Sequence, residues 1–341
     1  MKVLLYQEGR KYLGVSGIGR ALKHQQKALN INGIETTFDR RDTYDFVHIN
    51  TIFPESYRFL RKCQKKHIPV VVHGHSTFED FRNSFRGWKL MEPIFDILLK
   101  RIYQHADFII TPTPYSKNLI ENYKGVKCPV KAISNGIILE DYKYNEQKVQ
   151  DFKNYFKIKP NQKVVIGVGL LFERKGLIDF IEVAKSMPDV TFIWFGNLQK
   201  SLTQFKILKA MKEKPSNVIL PGYISGDVIK GAFSSANAMF FPSYEETEGI
   251  VVLEALASRL PLIVRDIGVC KPWLENGVNC YVGKNNDEFI QIIQKTLNSD
   301  NSKIIDNGYK VAEERSIDKI GKELIDTYKE VEKICISKIN K

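Results

Sequence analysis

Two carboxylates, Glu246 and Glu254, are separated by seven residues around a strongly apolar run. Carboxylates accept hydrogen bonds from vicinal diols, so this pair suits the hydroxyls of a hexose and of a ribose. A helix is predicted to begin near Gly249, and the amides of Gly249 and Ile250 at its start point toward an anion. Glu248 is better interpreted as an ordinary partner of the helix dipole. That interpretation fails for Glu254, which lies inside the helix.

A second candidate is the glycine-bounded segment 167–176, in which Arg174 stands next to Lys175 before a predicted helix. Adjacent cations at this position can neutralise a diphosphate. The alternative is a solvated basic loop with no ligand.

A third candidate is a glycine loop that contains Gly14, Gly17 and Gly19 and precedes a predicted helix over residues 20–32. Glycines let backbone amides approach an anion, and the helix start adds a favourable dipole. The spacing G-x-x-G-x-G differs from the dinucleotide fingerprint. The loop is expected to hold a phosphate or a sugar, and a plain flexible turn is the alternative.

Two histidines, His73 and His75, follow the predicted strand 70–73. A spacing of two on a strand places both side chains on one face. A histidine there can bond a sugar hydroxyl or sense a nearby charge, although a histidine at a strand end more often has a structural role. We expect no metal site, because no cluster supplies a third ligand.

The elements that position these residues alternate between short apolar runs and amphipathic helices, which is typical of parallel α/β folds. The predicted strands are residues 3–6, 46–49, 70–73, 108–111 and 130–133, then 164–168, 191–195, 218–220, 238–241 and 262–264. Two series predict two doubly wound domains, joined near the polar stretch 140–162. We expect domains over 1–155 and 156–315, and a C-terminal helix over 316–341 that packs back on the first domain.

The net charge is +12, and residues 1–155 carry 25 Lys and Arg against 16 Asp and Glu. This excess indicates an anionic partner. Five cysteines without a C-x-x-C pair argue against disulfides or zinc and fit a reducing cytosol. No apolar run reaches membrane-spanning length, and the start is too polar for a secretory signal, so a cytoplasmic protein is expected.

Two basic stretches in the first half are candidates for membrane contact. Their members are Arg58, Arg61, Lys62, Lys65 and Lys66 in the first, and Phe85 and Trp88 in the second. Aromatic rings lie well among lipid headgroups, and each Lys or Arg near anionic lipid contributes roughly 1 kcal/mol. The alternative for each stretch is a core-facing apolar stripe with a solvated basic back. Nucleic acid is not expected, because no motif for binding it appears.

Taken in order, these motifs resemble the retaining glycosyltransferases of family 4, which have the GT-B fold. The acid, seven residues and second acid match that family, as does Ser134-Asn135-Gly136-Ile137 near the end of the first domain. The resemblance implies two Rossmann-like domains facing a cleft. Its register selects His75 rather than His73.

The chain departs from the family at Leu170, where an arginine is usual, and Arg174 is a candidate to replace part of its diphosphate contact. Thr247 and Glu248 also replace the usual Gly and Phe. The sequence around the motifs is similar to glycolipid synthases of Gram-positive bacteria, of the diglucosyl- or galactosylglucosyl-diacylglycerol synthase type.

The resemblance implies a UDP-hexose donor, with glucose and galactose both open. Glu254 is expected to bind the ribose, Glu246 the hexose 3- and 4-hydroxyls, and the backbone near Tyr223 the uracil. Lys175, Arg174 and the amides of Gly17, Gly249 and Ile250 are expected to stabilise the diphosphate. No metal or cofactor is then needed, and His75 is expected to contact the donor sugar.

Four hypotheses follow. The first is a peripheral enzyme on the inner face of the cell membrane that glycosylates a glycolipid such as monoglucosyl-diacylglycerol and is activated by anionic lipid. The second is a soluble family 4 enzyme that acts on a polysaccharide or small acceptor. The third is an enzyme that cleaves or epimerises a UDP-sugar, and the fourth a non-catalytic basic protein that binds anionic surfaces or nucleic acid.

Overall fold

The computed structural model describes residues 1–10 and 17–339, which form two compact units. Unit 1 comprises Met1–Phe81, Lys89–Ile137 and Arg315–Lys341, and unit 2 comprises Arg82–Trp88 and Ile138–Glu314. Each unit contains a six-stranded sheet in which every described strand pair is parallel. The expected α/β class with two doubly wound sheets is therefore confirmed.

The strands are β1 (Lys2–Tyr6), β2 (Glu35–Thr37), β3 (Phe46–Ile49), β4 (Val70–His73), β5 (Ile109–Thr111), β6 (Val130–Ala132), β7 (Val164–Val168), β8 (Thr191–Phe195), β9 (Val218–Gly222), β10 (Ala238–Phe241), β11 (Leu262–Arg265) and β12 (Tyr281–Gly283). The helices are α1 (Gly17–Ile31), α2 (Pro54–Lys65), α3 (Phe78–Phe81), α4 (Trp88–Tyr103), α5 (Pro114–Glu121), α6 (Glu146–Phe156), α7 (Leu177–Lys185), α8 (Phe205–Lys212), α9 (Asp227–Ser235), α10 (Ile250–Ala257), α11 (Asn286–Asn298), α12 (Ser302–Glu314) and α13 (Ile317–Ile339).

The sheet of unit 1 has the strand order β2-β1-β3-β4-β5-β6. Leu4 and Tyr6 pack in one apolar core, while Val3 and Leu5 pack in another. Because successive side chains of a strand point to opposite faces, both faces of this sheet are covered.

Helix α13 completes unit 1 from the far end of the chain. It packs so closely on α1 that a Cβ atom on Gly321 would lie 2.3 Å from the carbonyl oxygen of Ala28. On the same helix the ring of Tyr328 stacks on Phe46 of β3, with 4.3 Å between centroids. The last helix is therefore part of the core of unit 1.

The sheet of unit 2 has the strand order β12-β11-β10-β7-β8-β9. Helix α6 belongs to this unit and packs on α9, where a Cβ atom on Gly231 would lie 1.9 Å from the carbonyl oxygen of Lys148. The expected boundary after residue 155 differs from this division, which passes between Ile137 and Ile138. The polar stretch 140–162 contains a packed helix, which its composition concealed.

Each predicted apolar run forms a strand, with ends that agree within two residues. Strands β2 and β12 were not predicted. Each has three residues and lies at the edge of its sheet, so neither shows a continuous apolar run.

Parallel strands end at the same edge of a sheet, and ligands of open α/β sheets bind at this carboxyl edge. His75 follows β4 at that edge of unit 1, while Gly169 and Ser243 follow β7 and β10 in unit 2. Among the helices built from residues 1–10 and 17–339, none is both long and apolar enough to cross a bilayer.

Candidate active site

Glu246 lies buried in the loop that joins strand β10 to helix α10. Its carboxylate accepts a hydrogen bond of 2.7 Å from the hydroxyl of Ser243 and pairs with the ammonium of Lys175. The guanidinium of Arg174 lies 3.8 Å from the other carboxylate oxygen. The two predicted cations and the first predicted acid therefore meet at the carboxyl edge of the unit 2 sheet.

The pKa of Glu246 reflects two opposing effects. Burial is the largest single effect and raises it, but the charges of Lys175 and Arg174 and the hydrogen bonds to the carboxylate together outweigh burial, so the pKa lies below its ordinary value. Hydrogen bonds from Lys175 and Ser243 act in the same direction as the charges. Glu246 is therefore ionised at neutral pH and only accepts hydrogen bonds, which suits a ligand rich in hydroxyl donors.

The turn that carries the two cations is pressed against the loop that carries Glu246. A short helical turn over Glu173–Lys175 ends at Gly176, whose φ is 78°. A Cβ atom on Gly176 would lie only 2.4 Å from the carbonyl oxygen of Pro242. The amide of Tyr244 also donates to the carbonyl oxygen of Arg174 over 2.7 Å. Glycine is required here both by φ and by the close approach.

Arg174 also holds the local backbone in place. Its Nε donates to the hydroxyl of Ser84 over 2.9 Å, and its Nη1 donates to the carbonyl oxygen of Glu245 over 2.8 Å. Ser84 was not predicted, because nothing in the sequence pattern pairs residues so far apart in the chain. These contacts give Arg174 a positioning role, and its predicted contact with a diphosphate stays a prediction.

Arg265, at the end of β11, supports the same loop and was not predicted. Its Nε donates to the carbonyl oxygen of Pro242 over 3.0 Å, and its Nη2 lies 3.2 Å from a carboxylate oxygen of Asp179. The guanidinium lies 3.9 Å from the ring centroid of Tyr244. An arginine that ends a buried strand was the available signal, since such a charge needs several partners.

The second predicted acid, Glu254, is buried within helix α10. Gly249 precedes this helix in the left-handed region, with a φ of 82°. The helix therefore begins at Ile250 and directs its first amides toward the carboxyl edge of the sheet. Glu248 is buried as well, and its predicted role as a partner of the helix dipole stays a prediction.

The loops after β7 and β8 touch each other. The amide of Gly169 donates to the carbonyl oxygen of Phe195 over 2.9 Å, and a Cβ atom on Gly196 would lie 1.8 Å from the oxygen of Gly169. Leu170 is 38% exposed, and Tyr223, just after β9, is 53% exposed. The predicted role of the backbone near Tyr223 stays a prediction.

In unit 1, His75 has a defined tautomer. Its Nε2 lies 2.9 Å from Oδ1 of Asn50, and Asn50 Nδ2 donates to the carbonyl oxygen of His48 over 3.3 Å. Because Oδ1 is thus the acceptor, His75 donates from Nε2 and keeps a lone pair on Nδ1. Burial lowers the pKa of His75 to about 3, so the ring is neutral.

Behind His75 runs a buried chain of hydrogen bonds. Nδ1 of His73 lies 2.9 Å from Nε2 of Gln25 on α1 and 3.0 Å from Nε2 of His48. The amide nitrogen of Gln25 donates, so Nδ1 of His73 is an acceptor and His48 donates from Nε2. Nδ1 of His48 then accepts from the hydroxyl of Tyr328 on α13 over 2.6 Å. Gln25, His48 and Tyr328 were not predicted, because three distant segments of the chain supply them.

Burial also governs the charge of this chain. It lowers the pKa of His48 to about 3 and that of His73 well below its ordinary value, and the neighbouring histidine charges act in the same direction. The cluster is therefore neutral at physiological pH.

Of the predicted glycines, Gly14 lies outside the described residues. Gly17 is the first residue of α1. The predicted contacts of both glycines with a donor stay predictions.

The basic stretch on α2 is exposed, while its apolar side faces the core. Its exposed members are Arg58, Arg61, Lys62, Lys65 and Lys66. Phe59, Leu60 and Cys63 of the same helix are buried. Phe85 and Trp88 are half-buried, so their rings are less available to lipid than the sequence indicated.

Within residues 1–10 and 17–339, no group of three or more His, Cys, Asp or Glu side chains converges in a way that could hold a metal ion.

Comparison with known families gives two matches, one for each half of the chain. The model described as "Glycosyltransferase Family 4" matches residues 19–141, and "Glycosyl transferases group 1" matches residues 148–311.

Among curated proteins, the chain is 55% identical to the processive diacylglycerol alpha-glucosyltransferase of Acholeplasma laidlawii, over 98% of this chain and 99% of that protein. It is 30% identical to the alpha-galactosylglucosyldiacylglycerol synthase of Streptococcus pneumoniae, over 41% of this chain and 38% of that protein.

Solved structures show the same fold at low identity. The Anabaena protein HepE, in complex with UDP and glucose, is 18% identical, with a TM-score of 0.75 over 96% of this chain and 99% of that chain. Sucrose-phosphate synthase from Thermosynechococcus elongatus is 14% identical, with a TM-score of 0.80 over 97% of this chain and 99% of that chain. Together with the paired acids and cations of unit 2, these similarities establish that the chain belongs to the family 4, group 1 glycosyltransferases and is a glycosyltransferase of the GT-B fold.

Proposed function

We propose that this enzyme transfers glucose or galactose from a UDP-hexose to a membrane glycolipid such as monoglucosyl-diacylglycerol, with retention at the anomeric carbon. The observation that carries the proposal is the buried cluster of Glu246, Lys175 and Arg174 at the carboxyl edge of unit 2. The name of the Acholeplasma relative, an alpha-glucosyltransferase that acts on diacylglycerol, supports the acceptor class and the α product.

Unit 2 supplies the groups for the donor. Glu246 is ionised and accepts hydrogen bonds, so it suits the hexose 3- and 4-hydroxyls. Glu254 is a buried acid within α10 and suits the vicinal hydroxyls of the ribose. The backbone near Tyr223 is proposed to meet the uracil, since this residue is exposed directly after β9.

The chemical step places negative charge on the departing diphosphate. Lys175 and the amides of Gly249 and Ile250 are proposed to stabilise that charge, helped by Gly17 of unit 1. Removing one such preorganised donor typically raises the barrier by about 2.7–4 kcal/mol. With these groups in place, the proposed mechanism uses no metal.

His75 is proposed to contact the donor sugar as a neutral acceptor. Nε2 carries the ring proton and donates it to Asn50, so Nδ1 is unprotonated and can accept a hydrogen bond from a sugar hydroxyl. It supports positive charge at the anomeric carbon by hydrogen bonding and not as a cation. Attack is proposed from the face of the leaving group, so no protein nucleophile is assigned.

The acceptor side is proposed to be unit 1, held at an anionic membrane surface. Four exposed cations on α2, the exposed Lys66 just after it and the net charge of +12 support this placement, because anionic lipid attracts such a surface. Attachment to the inner face of the cell membrane and activation by anionic lipid are parts of the same proposal.

The test is a matrix of radiolabelled UDP-sugars against acceptors in micelles. UDP-glucose and UDP-galactose are each offered with diacylglycerol, monoglucosyl-diacylglycerol or a soluble oligosaccharide, with and without anionic lipid. We expect a glycolipid product whose new linkage is α by NMR, with a higher rate when anionic lipid is present.

Two outcomes oppose the proposal. Transfer only to the soluble oligosaccharide makes the enzyme a family 4 transferase of another acceptor class. Release of UDP at the same rate without any acceptor indicates cleavage of the donor instead.

A further inference from the structure

Helix α4 exposes large apolar side chains along one stripe. Leu90 is 83% exposed, Met91 46%, Ile94 52% and Ile97 62%. Leu90, Ile94 and Ile97 follow each other at helical spacings of four and three residues, so they lie on one face, with Met91 beside them. All four belong to unit 1, and together they form the α4 stripe.

The stripe is not the side by which α4 packs on its own unit. That side is formed by Leu99, Ile102 and Tyr103, which are fully buried in the core beneath the sheet. Phe95 also packs inward, stacked on Phe81 with 3.9 Å between ring centroids. The helix therefore has one apolar side in the core and a second at the surface, and such a contiguous exposed patch marks an interaction site.

The stripe is continuous with a basic surface. Arg101 follows Ile97 by one helical turn, and its guanidinium lies 4.3 Å from the ring centroid of Tyr57 on α2. The exposed side of α2, with the residue that follows it, then presents five cations, which are Arg58, Arg61, Lys62, Lys65 and Lys66. Asp96 precedes Ile97 in the sequence, and its carboxylate pairs with the ammonium of Lys100 over 2.8 Å, so a cation accompanies this acid beside the stripe.

Apolar side chains bordered by a row of cations match the chemistry of an anionic bilayer surface. Helices of this kind lie in the plane of the interface, with the apolar side at the acyl boundary and the cations among the phosphates. An apolar protein partner would account for the stripe but not for the five cations beside it. The charge complementarity therefore favours lipid.

We propose that α4 inserts Leu90, Met91, Ile94 and Ile97 into an anionic bilayer while the basic side of α2 lies on its headgroups. This inference rests on the proposed function in one respect: the lipid acceptor gives the enzyme a reason to bind a membrane. It deepens that function, because it names the element by which unit 1 reaches the bilayer.

The first test measures partitioning onto vesicles with and without anionic lipid. We expect the triple variant Leu90→Ser, Ile94→Ser, Ile97→Ser to bind anionic vesicles at least tenfold more weakly than wild type. The matched control is the double variant Ile31→Ser, Ile336→Ser, which changes side chains that are 49% and 57% exposed on other helices of unit 1. Equal binding by the triple variant and wild type, or equal losses in triple and control variants, would overturn the proposal.

A second test reports depth directly. The variant Leu90→Trp is mixed with anionic vesicles that contain lipids brominated along the acyl chain. We expect strong additional quenching relative to wild type, and none for Leu202→Trp, which places the same ring at a 42% exposed position of unit 2. Absence of quenching for Leu90→Trp contradicts insertion.

A third measurement separates this proposal from the proposed function. The triple variant is assayed with a short-chain monoglucosyl-diacylglycerol below its micelle concentration, where we expect the wild-type rate. If the wild type glycosylates no lipid, but the triple variant still loses binding to vesicles, the proposed function fails and the insertion stands. If glycolipid transfer proceeds and the stripe variant alters only the oligomeric state in sedimentation velocity, the stripe is a self-association surface and the insertion fails.

Discussion

The imidazole rings of His73 and His75 stack face to face, with centroids 3.8 Å apart and planes 11° apart. Their spacing of two residues at the end of β4 puts them on one side of the strand. Two imidazolium cations this close would repel each other, so the two stacked rings are not both charged. Because burial also lowers the pKa of His75 to about 3, its ring is neutral and its role is that of a hydrogen-bonding group.

We predict that the protein loses stability when the pH falls below about 6.5. The folded pKa of His48 and of His75 is lowered from 6.5 to about 3, so the unfolded chain binds more protons in this range. The contribution of these histidines to the free energy of unfolding is fully present above pH 6.5. It falls as the pH drops toward 3, by up to about 1.4 kcal/mol per pH unit for each such histidine. Urea unfolding from about pH 7 to about pH 5 measures the slope.

His48→Gln should reduce that slope, while His105→Gln, at an exposed position, should leave it unchanged. A slope that does not differ between wild type and His48→Gln would contradict the assignment.

The pair of Lys175 and Glu246 should be coupled in stability but not in activity. Lys175→Met leaves a buried carboxylate without its main partner and should lower the free energy of unfolding by about 3–5 kcal/mol. Adding Glu246→Gln should restore most of this loss, because the buried charge is removed. Transfer should stay at least about 100-fold below wild type in both single variants and in the double variant.

The exposed pair Lys185 and Glu182 is the matched control, and Lys185→Met should change stability by less than about 1 kcal/mol. Recovery of activity in the double variant would show that the pair is structural only.

Gly176→Ala should reduce both stability and turnover. A positive φ alone costs a residue with a Cβ about 1–2 kcal/mol, and here that atom also meets the carbonyl oxygen of Pro242. Gly277→Ala is the control, since Gly277 has a φ of 75° and no atom within 4 Å of an added Cβ. Thermal unfolding and transfer assays compare the two. Equal effects would mean that the close approach is unimportant.

Glu254→Gln should weaken UDP binding by at least about tenfold, because a hydrogen bond to a charged acceptor is worth about 1.5–3 kcal/mol. Calorimetric titration with UDP measures the loss directly. Glu182→Gln, an exposed change on α7, should bind UDP as wild type does. Unchanged UDP affinity together with lower turnover would indicate that Glu254 binds the sugar of the donor and not its nucleotide.

The parallel sheets were predictable because buried strands leave continuous runs of Val, Ile and Phe. Edge strands such as β2 leave no such run, since their side chains are partly exposed. Helix α6 was also missed, because its polar sequence resembles a linker and only its contact with α9 through Gly231 shows that it is packed.

The candidate site was predictable where chemistry is local in sequence. Arg174 and Lys175 are adjacent, and Glu246 and Glu254 flank one helix start. The groups that hold them are not local: Arg265 reaches the loop from another strand. Such contacts depend on the fold, so one sequence without its structure cannot pair them.

The position of helix α13 has a consequence for biosynthesis. All of unit 2 leaves the ribosome before α13 does, so the nascent chain can finish its second unit while the first still lacks Tyr328 and the apolar contact with Phe46. Domains usually mature in the order of their translation. In this enzyme the half that begins first is completed last, and its open core is the surface that a chaperone would have to protect in the interval.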